Sequence, residues 1–359
     1  MTDARSSPLA APLLDWHARA GRHDLPWQEN PTPYRVWVSE IMLQQTQVAT
    51  VIPYYVRFLA RFPEVRAVAD APVDEVLHLW SGLGYYARAR NLHRAAVCIR
   101  DEHRGRFPTS FGQLAALPGI GRSTAGAILA LSLGARFPIL DGNARRVLAR
   151  YFGVRGARGA RTSEKRLWEL AERCTPHARI AEYTQAVMDL GATVCVRRRP
   201  SCGQCPLAAG CVAHRTGRQH ELPAPRRAAA RPVRDAFMVV ALAESGSVLL
   251  ERRPESGVWG GLWCLPEFAT ATAATAFIRN SLGLHVGTPR SLAPLEHAFT
   301  HFDLTITPLL VECPGTGATV EEGHGLWYNL REPARIGLPA PISALLARLA
   351  DESLFERRS

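Results

Sequence analysis

Lysine is almost missing from this 359-residue sequence: of 43 basic side chains only Lys165 is lysine. Chemistry that needs an amine nucleophile therefore has a single candidate along the whole chain. Long apolar runs are missing as well. None approaches the roughly 20 residues of a membrane span, and Met1 to Pro12 lack the basic start and apolar core of a signal peptide, so a soluble, cytoplasmic protein is expected. Cysteine is scarce and uneven. Eight cysteines are too few for a disulfide scaffold, which points to a reduced compartment, yet four of them crowd between 195 and 211, which points to a metal. Arginine replaces the lost lysine charge, and the formal net charge of +11 favours a polyanionic partner, nucleic acid ahead of an anionic membrane.

The length suits two domains of ordinary size. From Leu9 to about Ala213 apolar residues recur at three- and four-residue steps, through Val36 to Ile52, Leu77 to Ile99, Ala125 to Leu133 and Ala181 to Leu190, so a mostly helical domain is expected over 1–215. Residues 216–235 carry three prolines, five arginines and almost no large apolar side chain, and read as a linker. Beyond it the grammar changes. Short apolar runs at Phe237 to Leu242 and Val248 to Leu250 flank the turn Glu244-Ser-Gly-Ser247, and further strand-like runs occur at 302–312. With helical patterns at 271–282 and 342–355 they form an α+β domain over 236–359.

Cys195, Cys202, Cys205 and Cys211 follow the pattern C-x6-C-x2-C-x5-C. Four soft ligands suit tetrahedral zinc or a cubane iron–sulfur cluster, and the spacing leaves both open, although only Cys202 and Cys205 form the close pair that zinc sites favour. Arg197, Arg198 and Arg199 lie between the first two ligands, where a metal-pinned loop can grip phosphates. Leu117-Pro-Gly-Ile-Gly-Arg-Ser123 places Gly119 and Gly121 in a turn that opens a helix, whose exposed amides bind a phosphate without reading sequence. An ordinary interhelical turn is the plainer reading of that motif taken alone.

Two carboxylates stand out. Over 35–52 one apolar helix is expected to place Glu40, Gln44 and Gln47 at i, i+4 and i+7 on a single polar face, which must meet water or a polar pocket. Asp141, in Phe137-Pro-Ile-Leu-Asp-Gly-Asn143, breaks an apolar run and is placed to cap the helix from Ala144. Glycosidic hydrolysis needs a proton donor at the departing base and an anion near the sugar cation. An enclosed Glu40 with its pKa well above about 4.3 and a hydrogen-bonded Asp141 would supply the two roles.

Glu40-Ile-Met-Leu-Gln-Gln-Thr-Gln-Val48, Gly82-Leu-Gly-Tyr-Tyr-Ala-Arg-Ala-Arg90, Leu117-Pro-Gly-Ile-Gly-Arg-Ser123, Ile139-Leu-Asp-Gly-Asn143 and the four cysteines together resemble the adenine DNA glycosylases of the MutY type, in the same order from about Trp16 to Trp327. The resemblance implies a mostly α helix-hairpin-helix DNA glycosylase domain with an iron–sulfur module holding one 4Fe-4S cluster, followed by an α+β Nudix-like domain. It implies Glu40 as proton donor to adenine N7, Asp141 as the residue that stabilises the sugar cation, and Asn143 beside it. Gln44 and Tyr85 match residues that fill or flank the gap left by the flipped adenine. Gly119, Gly121, Ser123 and the three arginines fall among DNA contacts, and Trp27 and Gln185 at adenine-pocket positions. Gly257-Val-Trp-Gly-Gly-Leu-Trp263 and His297-Ala-Phe-Thr-His301 resemble the family's 8-oxoguanine reader, with Phe299, Thr300 and His301 at the lesion. Thr300 replaces the serine common in the family, and its extra methyl bears on a close contact. The implied partner is double-stranded DNA containing an adenine:8-oxoguanine or adenine:guanine mispair, bound by a monomer without a membrane.

Three rivals follow from the same residues. A bifunctional glycosylase/lyase of the endonuclease III type needs a hairpin lysine, but Ser123 stands there and Lys165 lies in another region. Nudix pyrophosphohydrolysis needs clustered carboxylates, yet no Asp or Glu occurs between Glu267 and Glu296. A non-catalytic, zinc-stabilised DNA-binding protein would keep the four cysteines without the acid pair's chemistry.

Overall fold

The computed structural model describes residues 7–156, 160–224, 230–280, 289–313 and 325–355. The middle of the linker (225–229) and the last two positions of the 271–282 pattern lie outside them. The chain forms two compact units, one of Met1–Asp70 with Asn91–Ala228, the other of Ala71–Arg90 with Ala229–Ser359.

The first unit is helical. It holds α1 (Ala10–Ala20), α2 (Pro33–Leu43), α3 (Val48–Arg61) and α4 (Val65–Asp70), and most of α6 (Ala87–Glu102). The chain continues through α7 (Phe111–Ala116), α8 (Arg122–Leu133), α9 (Gly142–Tyr151), α10 (Arg161–Cys174), α11 (Ile180–Thr193), two 3-10 turns and the short α12 (Val212–Arg215). Tyr183, Ala186, Val187 and Leu190 recur at helical steps along α11 and pack with Leu13 of α1 and Val147 and Leu148 of α9. Each buried Leu or Val side chain contributes about 1.5–3 kcal/mol. Close approach of these helices needs glycine at two points. A Cβ on Gly126 of α8 would lie 2.7 Å from the Pro138 carbonyl oxygen, and one on Gly191 of α11 2.5 Å from Asn143 Cβ.

The single helix expected over 35–52 is two helices. α2 ends at Leu43, Gln44 is its C-cap, Gln45 takes φ +60°, and Gln47 caps α3. Glu40, Gln44 and Gln47 therefore do not share one helical face. Apolar periodicity passes over the break because both helices face the core, Met42 and Val51 being fully buried. No glycine or proline marks the turn, so the usual breaker signal is missing. The Leu77 to Ile99 pattern likewise divides, into α5 (Val73–Trp80) and α6, and here Gly82 and Gly84, at φ +96° and +76°, mark the break.

In the second unit α5 joins a mixed sheet of β1 (Val233–Ala243), β2 (Ser247–Arg252), β3 (Trp263–Cys264), β4 (Glu267–Phe268), β5 (Arg290–Ser291), β6 (Leu295–Ala298), β7 (Asp303–Cys313) and β8 (Gly325–Asn329). The order is β3-β2-β1-β7-β5, with β4 on β1, β6 on β7 and β8 on β2. β1 and β7 run parallel from Val233↔Asp303 to Ala243↔Cys313. Val239, Ala241, Leu309, Val311 and Cys313 alternate onto one face and bury Ala274 and Ile278 of α13 (Ala271–Asn280); α14 (Ala340–Phe355) ends the described chain. β1 starts inside the stretch read as linker because its ladder to β7 needs only backbone groups; Val233 itself is 67% exposed. The front of that stretch is anchored too, since Leu222 is 3% exposed and its carbonyl accepts Arg150 Nε at 2.9 Å. Among the described residues no helix is long and apolar enough to cross a membrane.

Candidate active site

Asp141 takes up the cap position that its place before Ala144 calls for. Buried Ile139 and Leu140 lead into it, and its two carboxyl oxygens accept the backbone N–H groups of Ala144 at 2.8 Å and Asn143 at 3.0 Å. A carboxylate so held sits at the positive end of the α9 dipole. Glu40 lies in the last turn of α2. The residue keeps a partly exposed surface, but loss of water around its carboxyl, and then the Asp141 charge, push its pKa up to about 8. The two carboxyls, a hundred residues apart in sequence, thus feel one another directly. Asn143 adjoins them, its Oδ1 accepting Arg146 Nη2 at 2.8 Å.

The hairpin of α7 and α8 abuts the same segment. Ser123 Oγ accepts the Leu140 N–H at 2.9 Å, so the hairpin serine ties α8 to the extended segment that delivers Asp141. Gly119, at φ +78° and with room for no Cβ against Asn91, needs to be glycine. Gly121 does not need it for conformation, since its φ is −87° and an added Cβ meets nothing; as the N-cap of α8 it leaves the first-turn amides open. Lys165 is exposed on α10 and lines a shallow groove with Arg122 and Trp168, so tertiary packing brings it nearer the hairpin than its place in the sequence indicated.

Cys195, Cys202, Cys205 and Cys211 line one cavity with Arg150, Pro200 and His214. All four are half-buried free thiols, and burial followed by the neighbouring sulfurs pushes Cys205 up to about 11. Among the described residues no group has the close spacing of a single-ion site. Arg197, Arg198 and Arg199 are exposed on the loop between the first two cysteines.

Sequence reasoning missed what supports that loop. Arg150 is 3% exposed and donates to the Cys195 sulfur at 3.3 Å and to the carbonyls of Val196 at 2.7 Å and Arg197 at 3.1 Å. Arg146, one turn earlier on α9, donates to the Cys195 carbonyl at 2.7 Å as well as to Asn143. Their i, i+4 spacing was legible, but an arginine pair on a helix usually faces solvent.

Trp27 is 6% exposed and meets Tyr55 edge to face at 5.5 Å; Gln185 is 8% exposed, its side-chain amide donating to Asp189 at 2.9 Å. Gln44 is half-buried at the α2 terminus.

The remaining expected residues gather in the second unit. Trp80 Nε1 and Arg88 Nη2 both donate to the Gly84 carbonyl, at 3.2 and 3.0 Å, and lock the turn that holds Tyr85 at φ +50°. Tyr85 is 45% exposed, and its hydroxyl bonds Thr300 Oγ1 at 2.9 Å. Thr300 belongs to the tight turn between β6 and β7, closed by Phe299 N–H to the Phe302 carbonyl at 2.8 Å. Phe299 stacks on Phe302 at 4.5 Å and meets His297 edge-on at 4.5 Å, while Thr300 and His301 are exposed. Helix α13 carries no carboxylate.

Two family profiles match the chain: "HhH-GPD superfamily base excision DNA repair protein" over residues 38–173 and "NUDIX domain" over 237–348. An adenine DNA glycosylase of Buchnera aphidicola subsp. Acyrthosiphon pisum is 39% identical, covering 93% of this chain and 95% of its own. The adenine DNA glycosylase of Homo sapiens is 33% identical over 87% of this chain and 70% of its own. Among solved structures, a thermostable thymine-DNA glycosylase superposes with a TM-score of 0.53 at 28% identity, over 58% of this chain and 95% of its own.

Proposed function

Because the chain belongs to the adenine DNA glycosylase family, a premise carried by these relatives, we propose that it removes adenine mispaired with 8-oxoguanine or guanine from duplex DNA. It is a base-excision repair glycosylase, and what carries the chemistry is the enclosed Glu40 carboxyl, its pKa raised to about 8 by loss of water and by the charge of the capped Asp141. Glu40 donates its proton to N7 of the flipped adenine, which turns the base into a better leaving group. Asp141 sets a negative charge against the cation that develops on the sugar, with Asn143 holding its place beside it. Water then completes the hydrolysis. Ser123 leaves no amine at the hairpin, which favours a monofunctional enzyme over a lyase.

Cys195, Cys202, Cys205 and Cys211 would hold a 4Fe-4S cluster. Four soft thiols around one cavity, only two of them closely spaced in sequence, are the donor set such a centre needs. The cluster supplies a rigid, charge-neutralising anchor for its ligands. Arg197, Arg198 and Arg199 grip phosphates from that loop, and the amides around Gly119 and Gly121 bind another. Gln44 and Tyr85 contact the distorted duplex, Trp27 and Gln185 line the adenine pocket, and Phe299, Thr300 and His301 read 8-oxoguanine. A carboxylate-free α13 supports a reading domain in place of a hydrolase. The protein acts as a monomer in the cytoplasm.

The deciding experiment incubates the protein with duplexes carrying adenine opposite 8-oxoguanine, guanine or thymine, followed by alkali to reveal abasic sites. Cleavage opposite 8-oxoguanine and guanine is expected; none in either would refute the proposal. Iron and sulfide analysis, with Cys202→Ser as the depleted comparison, tests the cluster separately.

A further inference from the structure

The segment 85–90, which clusters with the sheet unit, reaches the turn between β6 and β7 in two ways. Tyr85 does so directly, through Thr300. Arg90, half-buried five residues later, does so through the loop of residues 253–262 that joins β2 to β3. Its guanidinium donates to two carbonyls of that loop, Nη2 to Glu255 at 3.0 Å and Nη1 to Gly260. The loop is drawn tight around these bonds. A Cβ on Gly260 would have no room against the Glu255 carbonyl, and one on Gly261, where φ is +75°, would lie 3.1 Å from Arg90 Cδ. Trp259, which adjoins Gly260, is held at φ +54°, a left-handed conformation that a tryptophan keeps only where its surroundings fix it. Its side chain is buried, and its ring lies 5.4 Å from Phe299 and 5.5 Å from His297, tilted against both. Burial lowers the pKa of His297, so that ring packs as a neutral aromatic. Phe299 therefore packs against Trp259, His297 and Phe302 at once.

We propose that Arg90 is a positioning residue for lesion recognition: its fork fastens the 253–262 loop, which holds Trp259 against Phe299 and so sets the β6–β7 turn in its reading conformation before DNA arrives. The inference rests on the reading of Phe299, Thr300 and His301 as the 8-oxoguanine contacts. The lesion differs from guanine only by a carbonyl at C8 and a proton on N7. Few contacts can sense so small a difference, and they discriminate only where they are fixed in place. A turn free to shift would have to order itself on binding, which weakens those contacts. Arginine suits the task because its planar guanidinium presents donors in a rigid fork to two acceptors, whereas a lysine ammonium is a point charge on a flexible stem. The excision chemistry belongs to Glu40 and Asp141, so loss of the fork should change the opposite-base preference and spare excision itself.

Arg90→Met tests the fork, since methionine keeps the apolar stem beside Gly261 and removes every donor. Single-turnover excision of adenine opposite 8-oxoguanine and opposite guanine is measured at subsaturating enzyme, for wild type, Arg90→Met, Trp259→Leu and the double variant. The 8-oxoguanine-to-guanine ratio should fall by about tenfold in each single variant, with excision opposite guanine near the wild-type rate. The double variant should fall no further, because both changes cut one linkage. Equal losses on the two duplexes would mean a merely structural role, and these, an unchanged ratio or additive falls would each overturn the inference. Should Arg90→Met not fold, Arg90→Lys keeps the charge without the fork; its ratio should also fall, and an unchanged ratio overturns the inference equally. Phe299→Ala separates this inference from the reading beneath it. A preference retained in Phe299→Ala refutes the reader itself, whereas one lost there and kept in Arg90→Met overturns the role of Arg90 alone.

Discussion

Glu40 keeps its proton because two unfavourable surroundings act in the same direction, loss of water first and the Asp141 charge second. Since the acid form is the one that protonates adenine, single-turnover excision should be level near neutrality and fall as pH rises through about 8. Glu40→Gln should still bind lesion DNA, lose excision by at least about 10²-fold and show no such fall. Near-normal cleavage by that variant would remove Glu40 from the mechanism. The same shift bears on stability. With the folded pKa near 8 above the ordinary 4.5, the folded state holds an extra proton between the two, so this contribution is whole below 4.5 and is lost as pH climbs through 8. Ser123 offers a second test at this scale. Ser123→Lys gives up the bond to Leu140 N–H, at a cost of about 1 kcal/mol, but places an amine beside the segment that carries Asp141. Neighbouring arginines disfavour another cation, so part of the amine is neutral and nucleophilic. The variant should form an adduct with substrate DNA that borohydride traps, and should nick without alkali. Efficient trapping by wild type, abolished in Lys165→Ala, would instead assign a lyase to the groove beside Arg122.

Between α2 and α3 the chain turns through Gln45 at φ +60°, a left-handed conformation that disfavours side chains bearing a Cβ. Gln45→Gly should therefore stabilise the first unit by up to about 1 kcal/mol, read as a higher melting temperature, with Glu40 left in place. A lower melting temperature would show that the Gln45 side chain, exposed as it is, contributes more than its backbone costs. The break explains why periodicity misread the polar stripe. Glu40 needs only α2 and a neighbour across the fold; Gln44 and Gln47 hold opposite sides of a turn.

Removal of the C-terminal sheet is the test at the scale of the whole chain. Residues 71–90 cluster with residues 229–359, and α5 is buried there: Val76, Leu77 and Trp80 have no exposed surface, and Tyr86 Oη donates to the Leu338 carbonyl at 3.2 Å. A chain ending after Ala224, which keeps the Leu222 carbonyl on Arg150, should still excise adenine but discriminate poorly between 8-oxoguanine and guanine. It should also melt at a lower temperature, because burial of α5 is lost. Unchanged discrimination would show that the sheet domain does something else.

Residue type and local order determined much of this protein in advance: a helical part before an α+β part, a cap at Asp141 and four cysteines in one cavity. These rest on short-range physics, since periodicity, capping and glycine conformations are set within a few residues. Tertiary structure alone decided that Glu40 feels Asp141, that Ser123 bonds the segment before it, that Arg150 is buried and Arg146 half-buried under the cysteine loop, and that Tyr85 meets Thr300. Each of these depends on packing between elements distant in sequence. A side chain's surroundings, and with them its protonation, its donor partners and the face its amide presents, do not exist until that packing does.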